Sequence, residues 1–465
     1  MDASTHQRPA LDRLTAADLF MLWDDYGWCA DVGALAVVDG SSGLLDAYGA
    51  LRIDAVRRHV ERRLARVPRF RQVVVRPPLG FGWPLWVDAP GFSLSDHVRV
   101  RPLGREADEE TLLAVCQELA QRPFHPDRPL WELWLLPGLP DGKVGVYVKL
   151  HHALGDGAAG VAAFGALLDL APTAPDPEPR LWCPAPTPTR GHLLRDNIGR
   201  RRAELSRGLL ALARPRQTLR VARQTLPAWR EVLTEDPAPP TSLNEPVGPS
   251  RRLSVLRRDL EEVRQVAHAH GAKINDVVLT AVAGGLHDLL AGRGEDVTNL
   301  TLRAMVPISL HREHTGQAVG NQDSWMMIPL PVGEADPIRR LARIAGETAA
   351  RRGTVRPATG TGMFRFRALQ RLWYHHFPRQ RSVNLVVTNV AGPPVPVYLC
   401  GARLLELAPV VALMGNLTLV VAVLSYDGQL AVTVVSDPEN CGDADVFVDG
   451  MGRTLDVLAS IGAMR

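Results

Sequence analysis

Two adjacent histidines, an acid and a glycine form the segment best suited to acid/base chemistry. Residues 151–157 read HHALGDG, which is the pattern HHxxxDG. The preceding residues, 144–150, alternate between apolar side chains and Gly145, Tyr147 and Lys149, as a β-strand does. We therefore expect the histidines at a strand end. Because an imidazole titrates near neutral pH, this position could take up and return a proton.

The strand period separates the two histidines. If the strand continues through His152, that side chain shares the apolar face of residues 144–150, and His151 shares the other face with Tyr147 and Lys149. Burial on the apolar side keeps an imidazole neutral and able to accept a proton. His152 is therefore the predicted general base. The alternative is a pair of hydrogen-bonded structural histidines.

Composition bounds the class of protein. A chain of 465 residues has room for two domains, and a formal net charge of +3 gives no overall basic field for nucleic acid. Its five cysteines are scattered without a CxxC spacing, which indicates a reducing compartment, no disulfide framework and no zinc or other metal site. The first residues lack the apolar core of a signal peptide, and no apolar run reaches the length of a membrane span. These features predict a cytoplasmic location.

The order of predicted elements indicates an α/β protein with two halves. The first half contains amphipathic helices at 51–66 and 111–121, a helix of small residues at 158–170, helix-like spacing over 11–28, and strands at 32–38, 73–75, 83–87 and 133–136. The second half contains strands at 252–256, 302–308, 325–330, 385–390, 417–424 and 431–435, with helices at 260–270 and 277–290. We therefore predict an N-terminal domain over 1–170, a linker over 171–250 and a C-terminal domain over 251–465.

The predicted linker is unusual in composition. Residues 171–190 are rich in proline, and residues 190–230 hold eleven arginines against Asp196 and Glu204, a local net charge of +9. Leucines give the second stretch a loosely helical apolar face. Such a helix is a candidate for contact with an anionic membrane surface or a phosphorylated ligand. The alternative is a solvated helix that crosses between the domains.

Four sequence blocks together resemble a known family. They are HHALGDG, RPLWELWLLPGL at 128–139, KINDVVLTAVAGGL at 273–286 and NLVVTNVAGPPVPVYLCGARL at 384–404. In this order they resemble the bifunctional wax ester synthase/diacylglycerol acyltransferase family, and the resemblance runs from Leu14 to about Leu458. HHxxxDG alone reaches only the superfamily of CoA-dependent acyltransferases. The resemblance implies two chloramphenicol-acetyltransferase-like α/β lobes with mixed sheets, joined by a crossover and enclosing a central tunnel.

The resemblance also implies a mechanism. His152 would take the proton from an acceptor hydroxyl as its oxygen attacks the thioester of an acyl-CoA, in a direct transfer without an acyl-enzyme. The chain has no GxSxG elbow that would suggest one. Asp156 would fix the loop, Gly157 would leave room at the helix start, and His151 would be secondary. Acyl-CoA is then a co-substrate, and no cofactor or metal is expected.

Several polar residues of the other blocks could shape the site. Asn275 opens a predicted helix, so it either caps that helix or lines the site together with Asp276. Asn321 and Asn389 are loop-fixing amides or polar groups near the substrate carbonyl. Trp131 is a core residue or part of the tunnel lining. The sequence assigns no oxyanion donor.

The chain departs from the family pattern at two positions. Asp31 stands where the family commonly has a histidine before a Val-Gly pair, and Thr388 stands where the family has a serine before Asn389. The first change could alter the preference for the acceptor or the acyl chain. Neither change removes a group that the chemistry needs.

The leading functional hypothesis is an acyl-CoA-dependent O-acyltransferase that forms triacylglycerol from diacylglycerol or wax ester from a long-chain alcohol. One alternative is acylation of a hydroxyl or amine of a specialised metabolite, with a carrier-protein thioester as a further donor. A second is a non-catalytic lipid-binding or lipid-droplet protein. The predicted partners are acyl-CoA, a lipid alcohol and a membrane or lipid-droplet surface, with no nucleic acid. The oligomeric state and the acyl-chain length stay open.

Overall fold

Two large β-sheets and a small antiparallel sheet of β2 and β3 organise the described part of the chain. The computed structural model describes residues 11–462 except 24–25, 29, 79, 156, 179–180, 214–235, 310–322, 352–355 and 358–366. The strands are β1 Asp31–Asp39, β2 Gln72–Val75, β3 Leu85–Asp88, β4 Val98–Val100, β5 Trp131–Pro137, β6 Lys143–His151, β7 Arg252–Asp259, β8 Thr301–Ser309, β9 Asp323–Pro331, β10 Arg356–Pro357, β11 Leu385–Ala391, β12 Tyr398–Leu399, β13 Ala402–Val410, β14 Leu419–Tyr426 and β15 Gln429–Ser436.

Helices are interspersed among these strands along the chain. They are α1 Ala16–Met21, α2 Ile53–Arg63, α3 Glu109–Gln121, α4 Gly157–Gly165, α5 Arg190–Ala213, α6 Leu260–Ala269, α7 Ile274–Gly292, α8 Pro337–Arg351, α9 Arg367–His376 and α10 Ala444–Gly462. The mixed α/β architecture predicted from the sequence is therefore confirmed.

The first sheet combines strands from both halves of the chain. Its order is β12-β13-β1-β6-β5-β4, and β1 lies antiparallel between β6 and β13. Leu35 of β1 faces Tyr147 of β6 on one side and Ala408 of β13 on the other. The second half of the chain thus completes the sheet of the first half. The domain limits 1–170, 171–250 and 251–465 stay a prediction. They do not account for β12 and β13, which come from the second half of the chain but belong to the first sheet.

The second sheet is mixed. Its order is β10-β9-β8-β11-β14-β15-β7, in which β11 runs parallel to both β8 and β14 while the other pairs are antiparallel. β14 and β15 are buried almost throughout, which explains their continuous runs of valine and leucine.

A buried helix fills the core over the second sheet. α7 packs against α10, and a Cβ atom on Gly285 would lie 2.4 Å from the carbonyl oxygen of Phe447, so the absence of a side chain permits the close approach. By length and composition alone α7 is apolar enough to cross a membrane, but most of it is buried inside the protein. Its role as a core helix accounts for its composition.

The observed elements differ from the predicted ones at specific places. Among the described residues of 11–28, the helix-like spacing corresponds to α1, which begins at a capping box of Thr15 and Asp18 and ends at the C-cap residue Leu22. α5 confirms a helix at the start of the arginine-rich stretch, and residues 214–235 lie outside the described part. β13, α8, α9 and α10 were not singled out from the sequence pattern.

Candidate active site

The two motif histidines lie where β6 ends. The regular strand stops at His151, and residues His152–Leu154 form a 3₁₀ turn, so the strand does not continue through His152, which was the condition for assigning that side chain to the apolar face. The main-chain amides of the two histidines still point in opposite directions, toward different neighbouring segments. The His151 amide donates to the Leu130 carbonyl at 3.0 Å, and the His152 amide donates to the Ala30 carbonyl at 2.9 Å. The chain therefore fixes the turn between the segments that lead into β1 and β5.

His151 is engaged by the turn that follows it. Its Nδ1 accepts a hydrogen bond from the Ala153 amide at 3.1 Å, as an N-cap side chain does. Burial lowers the pKa of His151 to about 3, and the charges of His152, Lys149 and Arg76 act in the same direction. His151 is therefore neutral at physiological pH, and one of its two ring nitrogens is occupied.

A buried ion pair lies beside His151. Asp31 is directly opposite His151 in the β1–β6 register, and its carboxylate lies 2.9 Å from Nζ of Lys149. The Lys149 ammonium also donates to the Arg122 carbonyl and lies 4.5 Å from the centre of the Phe124 ring. Burial raises the pKa of Asp31 to about 6, although the Lys149 charge opposes this shift. The residue that departs from the family pattern is thus partnered within the protein.

Sequence reasoning noted Asp31 only as a departure and missed its partner. The available signal was the position of Lys149, which shares the polar face of β6 with His151 and is one of only three lysines in the chain. Lys149 is fully buried, and a lysine in such a place needs a counter-ion.

The glycines of residues 151–157 permit close packing, at Gly155 against the first turn of α4 and at Gly157 across the two halves of the chain. A Cβ atom on Gly155 would lie 2.6 Å from Cβ of Ala159, and one on Gly157 would lie 3.2 Å from Cγ2 of Val390 in β11. α4 therefore begins against a strand of the second sheet, and the role of Gly157 in leaving room at the helix start stays a prediction. Asp156 lies outside the described residues, and its predicted role as a loop anchor stays a prediction.

Two asparagines meet on the other side of this contact. Nδ2 of Asn389, in β11 next to Val390, lies 3.4 Å from Oδ1 of Asn275 in the first turn of α7. The capping interpretation of Asn275 is wrong, because Lys273 is the N-cap residue of α7 and Asp276 accepts its amide hydrogen at 2.9 Å. The Asn275 side chain is instead turned toward β11.

Asp276 has a structural position. It is buried, and its second carboxylate oxygen accepts a hydrogen bond from the Thr348 hydroxyl in α8 at 2.7 Å. One carboxylate thus caps α7 and fixes α8 against it. Both oxygens are used within the fold.

Trp131 belongs to the core of the first sheet. It is fully buried, stacks between Phe70 and His97 with ring centres 4.7 Å apart on each side, and donates its indole N–H to the Phe70 carbonyl at 2.8 Å. It faces Leu150 in the β5–β6 register, one residue before the motif. Trp131 therefore supports the strand that carries the histidines. Asn321 lies outside the described residues.

The structure thus brings together one group of the predicted residues. The end of β6 and the start of α4 carry His151, His152 and Gly157, and they meet the part of β11 and α7 that carries Asn389 and Asn275. The segment with two imidazoles thus leads into a helix that packs beside a strand with an amide, which suits proton transfer and polar recognition of a substrate.

Comparison with solved structures defines the class of fold. The protein is similar to the wax ester synthase/diacylglycerol acyltransferase from Marinobacter aquaeolei VT8, with a TM-score of 0.70 and 22% sequence identity over 97% of this chain and all of that one. It is also similar to a mutant starter condensation domain of rhizomide synthetase RzmA in complex with C8-CoA, with a TM-score of 0.58 and 14% identity over 98% of this chain and 95% of that one. These likenesses confirm the predicted two-lobed fold of acyltransferases and condensation domains.

Sequence comparison then gives the family. Residues 14–278 match the wax ester synthase/diacylglycerol acyltransferase catalytic domain, and residues 319–459 match the C-terminal domain of the same family. A putative diacylglycerol O-acyltransferase of Mycobacterium tuberculosis is 30% identical over 96% of this chain and 90% of its own length. The chain therefore belongs to the wax ester synthase/diacylglycerol acyltransferase family and is an acyl-CoA-dependent acyltransferase.

Proposed function

We propose that this acyltransferase moves a fatty acyl group from acyl-CoA to the hydroxyl of a lipid alcohol, forming triacylglycerol from diacylglycerol or wax ester from a long-chain alcohol. The family and the name of its mycobacterial relative support this acceptor class. The condensation-domain structure that holds C8-CoA supports an acyl-CoA donor on this fold.

The division between the two motif histidines supports His152 as the general base. His151 is neutral and accepts the Ala153 amide through Nδ1, so its ring is committed to holding the turn. His152 begins the 3₁₀ turn that leads into α4, and the first residue of α4, Gly157, packs on Val390 of the second sheet. This is the observation that carries the assignment, since a base needs a ring nitrogen within reach of the acceptor hydroxyl.

The proposed reaction is one direct transfer. His152 takes the proton from the acceptor hydroxyl while that oxygen forms a bond to the thioester carbonyl carbon. The carbon–sulfur bond then breaks, and the imidazolium returns the proton to the CoA thiolate. The products are an ester and free CoA, with no acyl-enzyme and no metal or further cofactor. Asn275 meets Asn389, whose neighbour in β11, Val390, packs on Gly157 at the start of α4, and we assign both asparagines a place beside the substrate carbonyl.

One assay tests the proposal. Release of free CoA from palmitoyl-CoA is measured with diacylglycerol or hexadecanol as acceptor, for the wild type and for His152→Ala. We expect the variant to lose at least about a hundredfold in turnover, because general-base catalysis typically contributes that much. His268→Ala, an exposed position on α6, is the matched control and should keep wild-type activity. Full turnover by His152→Ala would refute the mechanism.

The same assay separates the alternatives. CoA release only with a non-lipid alcohol or an amine would point to a specialised metabolite, and activity only with an acyl-carrier thioester would point to a condensation-type donor. The similarity in fold to condensation domains is the observation that supports the carrier-thioester alternative. Lipid binding without CoA release would indicate a non-catalytic protein.

A further inference from the structure

An exposed apolar stripe runs along α5. Its members are Leu194, Ile198, Leu205 and Leu209, and 43%, 41%, 68% and 67% of each residue is exposed. Spacings of four, seven and four residues place all of them on one side of a helix. Large aliphatic residues on a soluble surface are usually scattered singly, so an aligned row of four indicates a binding surface.

Another side of α5 is fixed to the first half of the chain. Leu193 is buried against Leu85 and Val87, and the Asn197 amide donates to the Gly80 carbonyl at 2.6 Å. Asp196 accepts from Nε of Arg13 at 2.7 Å. These contacts set the rotation of the helix, so the stripe faces outward because of the fold.

The charges of α5 define what the stripe can bind. The helix has six arginines against Asp196 and Glu204. Asp196 is paired with Arg13 and with Arg200, which leaves the balance around the stripe positive. Arg195, Arg201 and Arg202 are exposed next to it. A row of aliphatic side chains flanked by arginines matches the acyl chains and the phosphate groups of an anionic bilayer.

The anchor of α5 connects this stripe with the candidate active site. Arg200 donates to the Leu11 carbonyl, and Arg13 bonds to Asp196, so α5 is held by the segment that begins at Leu11. Leu14 of that segment packs with Ala153 in the turn that follows the motif histidines. A lipid surface on α5 would thus be held close to the turn that carries His152.

We propose that the α5 stripe, defined as Leu194, Ile198, Leu205 and Leu209, binds the surface of an anionic phospholipid bilayer. The leucines enter the outer acyl-chain region, and the flanking arginines contact the lipid phosphates. This inference rests on the proposed function, because a lipid acceptor resides in a bilayer and the enzyme must reach it there. Binding itself requires no turnover.

The test is flotation of the full chain with vesicles. One set contains phosphatidylcholine alone and the other equimolar phosphatidylcholine and phosphatidylglycerol. We expect the wild type to bind the anionic vesicles more strongly. Leu205→Gln/Leu209→Gln should reduce binding to both sets by at least about tenfold, since two aliphatic side chains no longer leave water. Arg201→Gln/Arg202→Gln should reduce binding to the anionic vesicles by roughly tenfold and weaken its salt dependence.

Matched controls separate lipid binding from general surface hydrophobicity. Leu170→Gln/Leu181→Gln removes two exposed leucines, 76% and 100% exposed, from outside α5 and should bind like the wild type. Thermal unfolding confirms that each variant folds. If the wild type does not float with anionic vesicles, or if the stripe variant floats equally well, the proposal is overturned.

Two further measurements separate lipid binding from self-association and from loss of catalysis. If light scattering shows a wild-type dimer that becomes a monomer in Leu205→Gln/Leu209→Gln, the stripe binds a second copy, which overturns the lipid proposal. CoA release with detergent-dispersed substrates should be the same for this variant and the wild type. Loss of catalysis with dispersed substrates therefore concerns the proposed function, whereas loss of flotation concerns only the α5 stripe.

Discussion

At the scale of residues, the site contains a buried ion pair and a buried neutral imidazole, which affect stability differently. Asp31 and Lys149 neutralise each other, so either one alone would leave an unpaired buried charge. His151 avoids charge altogether, because burial keeps it neutral while its Nδ1 holds the turn. The ionised pair and the neutral ring lie next to each other at the end of β6, directly before the candidate base. Their arrangement fixes its backbone without competing for the proton.

The neutral state of His151 predicts sensitivity of the fold to acid. In the unfolded chain His151 takes up a proton near its ordinary pKa of 6.5, whereas in the folded protein its pKa is lowered to about 3. Its contribution to stability is therefore complete above pH 6.5 and is lost as the pH falls toward 3, by ~1.4 kcal/mol per pH unit.

His151→Asn tests this dependence, because its amide oxygen can accept the Ala153 amide as Nδ1 does but does not titrate. Urea unfolding at pH 7.5 and pH 4.5 should show a decrease in the free energy of unfolding that is smaller in the variant by about 2–3 kcal/mol. His268→Asn, at an exposed site, should follow the wild type. Equal acid sensitivity in His151→Asn and the wild type would contradict a buried neutral imidazole.

At the scale of elements, the sequence was most informative where one pattern dominated. β6 was predicted from its alternation, and α7 from its apolar composition, and both were found. α5 was predicted from a loose apolar face. The exact end of β6 was missed by one residue, because a turn bonded to the Ala30 carbonyl replaces the strand at His152.

The contacts between elements were beyond the reach of a single sequence. Asn275 looked like a helix cap, but the cap is made by Asp276 reaching back to Lys273, and Asn275 meets Asn389 from a strand more than a hundred residues away. Lys149 looked like an ordinary polar residue of a strand, and its partner Asp31 lies on another strand. Pairings of this kind depend on register and on sheet order, which local periodicity does not encode.

The close contact between Gly155, after the motif turn, and Ala159 of α4 leads to a prediction about stability and activity. Gly155→Ala places a methyl group 2.6 Å from Cβ of Ala159, so the turn must shift. We expect a loss of ~1–3 kcal/mol in the free energy of unfolding, as for other overpacked sites, and a decrease in kcat/KM because His152 moves with the turn. Thermal unfolding and the CoA-release assay measure the two effects.

Gly160→Ala is the matched control within α4. There a new Cβ would meet Leu150 at 3.5 Å, an ordinary contact, and alanine favours the helix by about 0.5–1 kcal/mol. We expect this variant to be as stable as the wild type or more so, with unchanged kcat/KM. If both alanine variants behave alike, the close contact of Gly155 is not what positions the turn.

At the scale of the whole molecule, the two halves of the chain are built into each other. β13 from the second half pairs with β1, and Leu399, Leu404 and Leu407 of this region lie in the apolar core of the first sheet. α4 from the first half in turn packs on β11 of the second sheet. The candidate active site lies at this mutual contact, so its geometry requires both halves.

This exchange predicts that residues 1–250 do not fold to the native state alone. Without β13 the fragment leaves the edge of β1 and part of the core open, and we expect no cooperative thermal unfolding for it. Co-expression with residues 251–465 should restore both a cooperative transition and CoA release. A fragment 1–250 that unfolds cooperatively at the temperature of the full chain would show that the second half is dispensable for the first sheet.

The same strand order has a consequence during synthesis. On the ribosome, β6 is complete at His151, but the partner that covers the other edge of β1 ends at Val410, roughly 260 residues later. At bacterial and eukaryotic elongation rates this interval is roughly ten to fifty seconds. For that time the nascent chain presents an unpaired strand edge. An exposed edge of this kind is prone to pair with other chains, so the interval of synthesis is a period of exposure to aggregation.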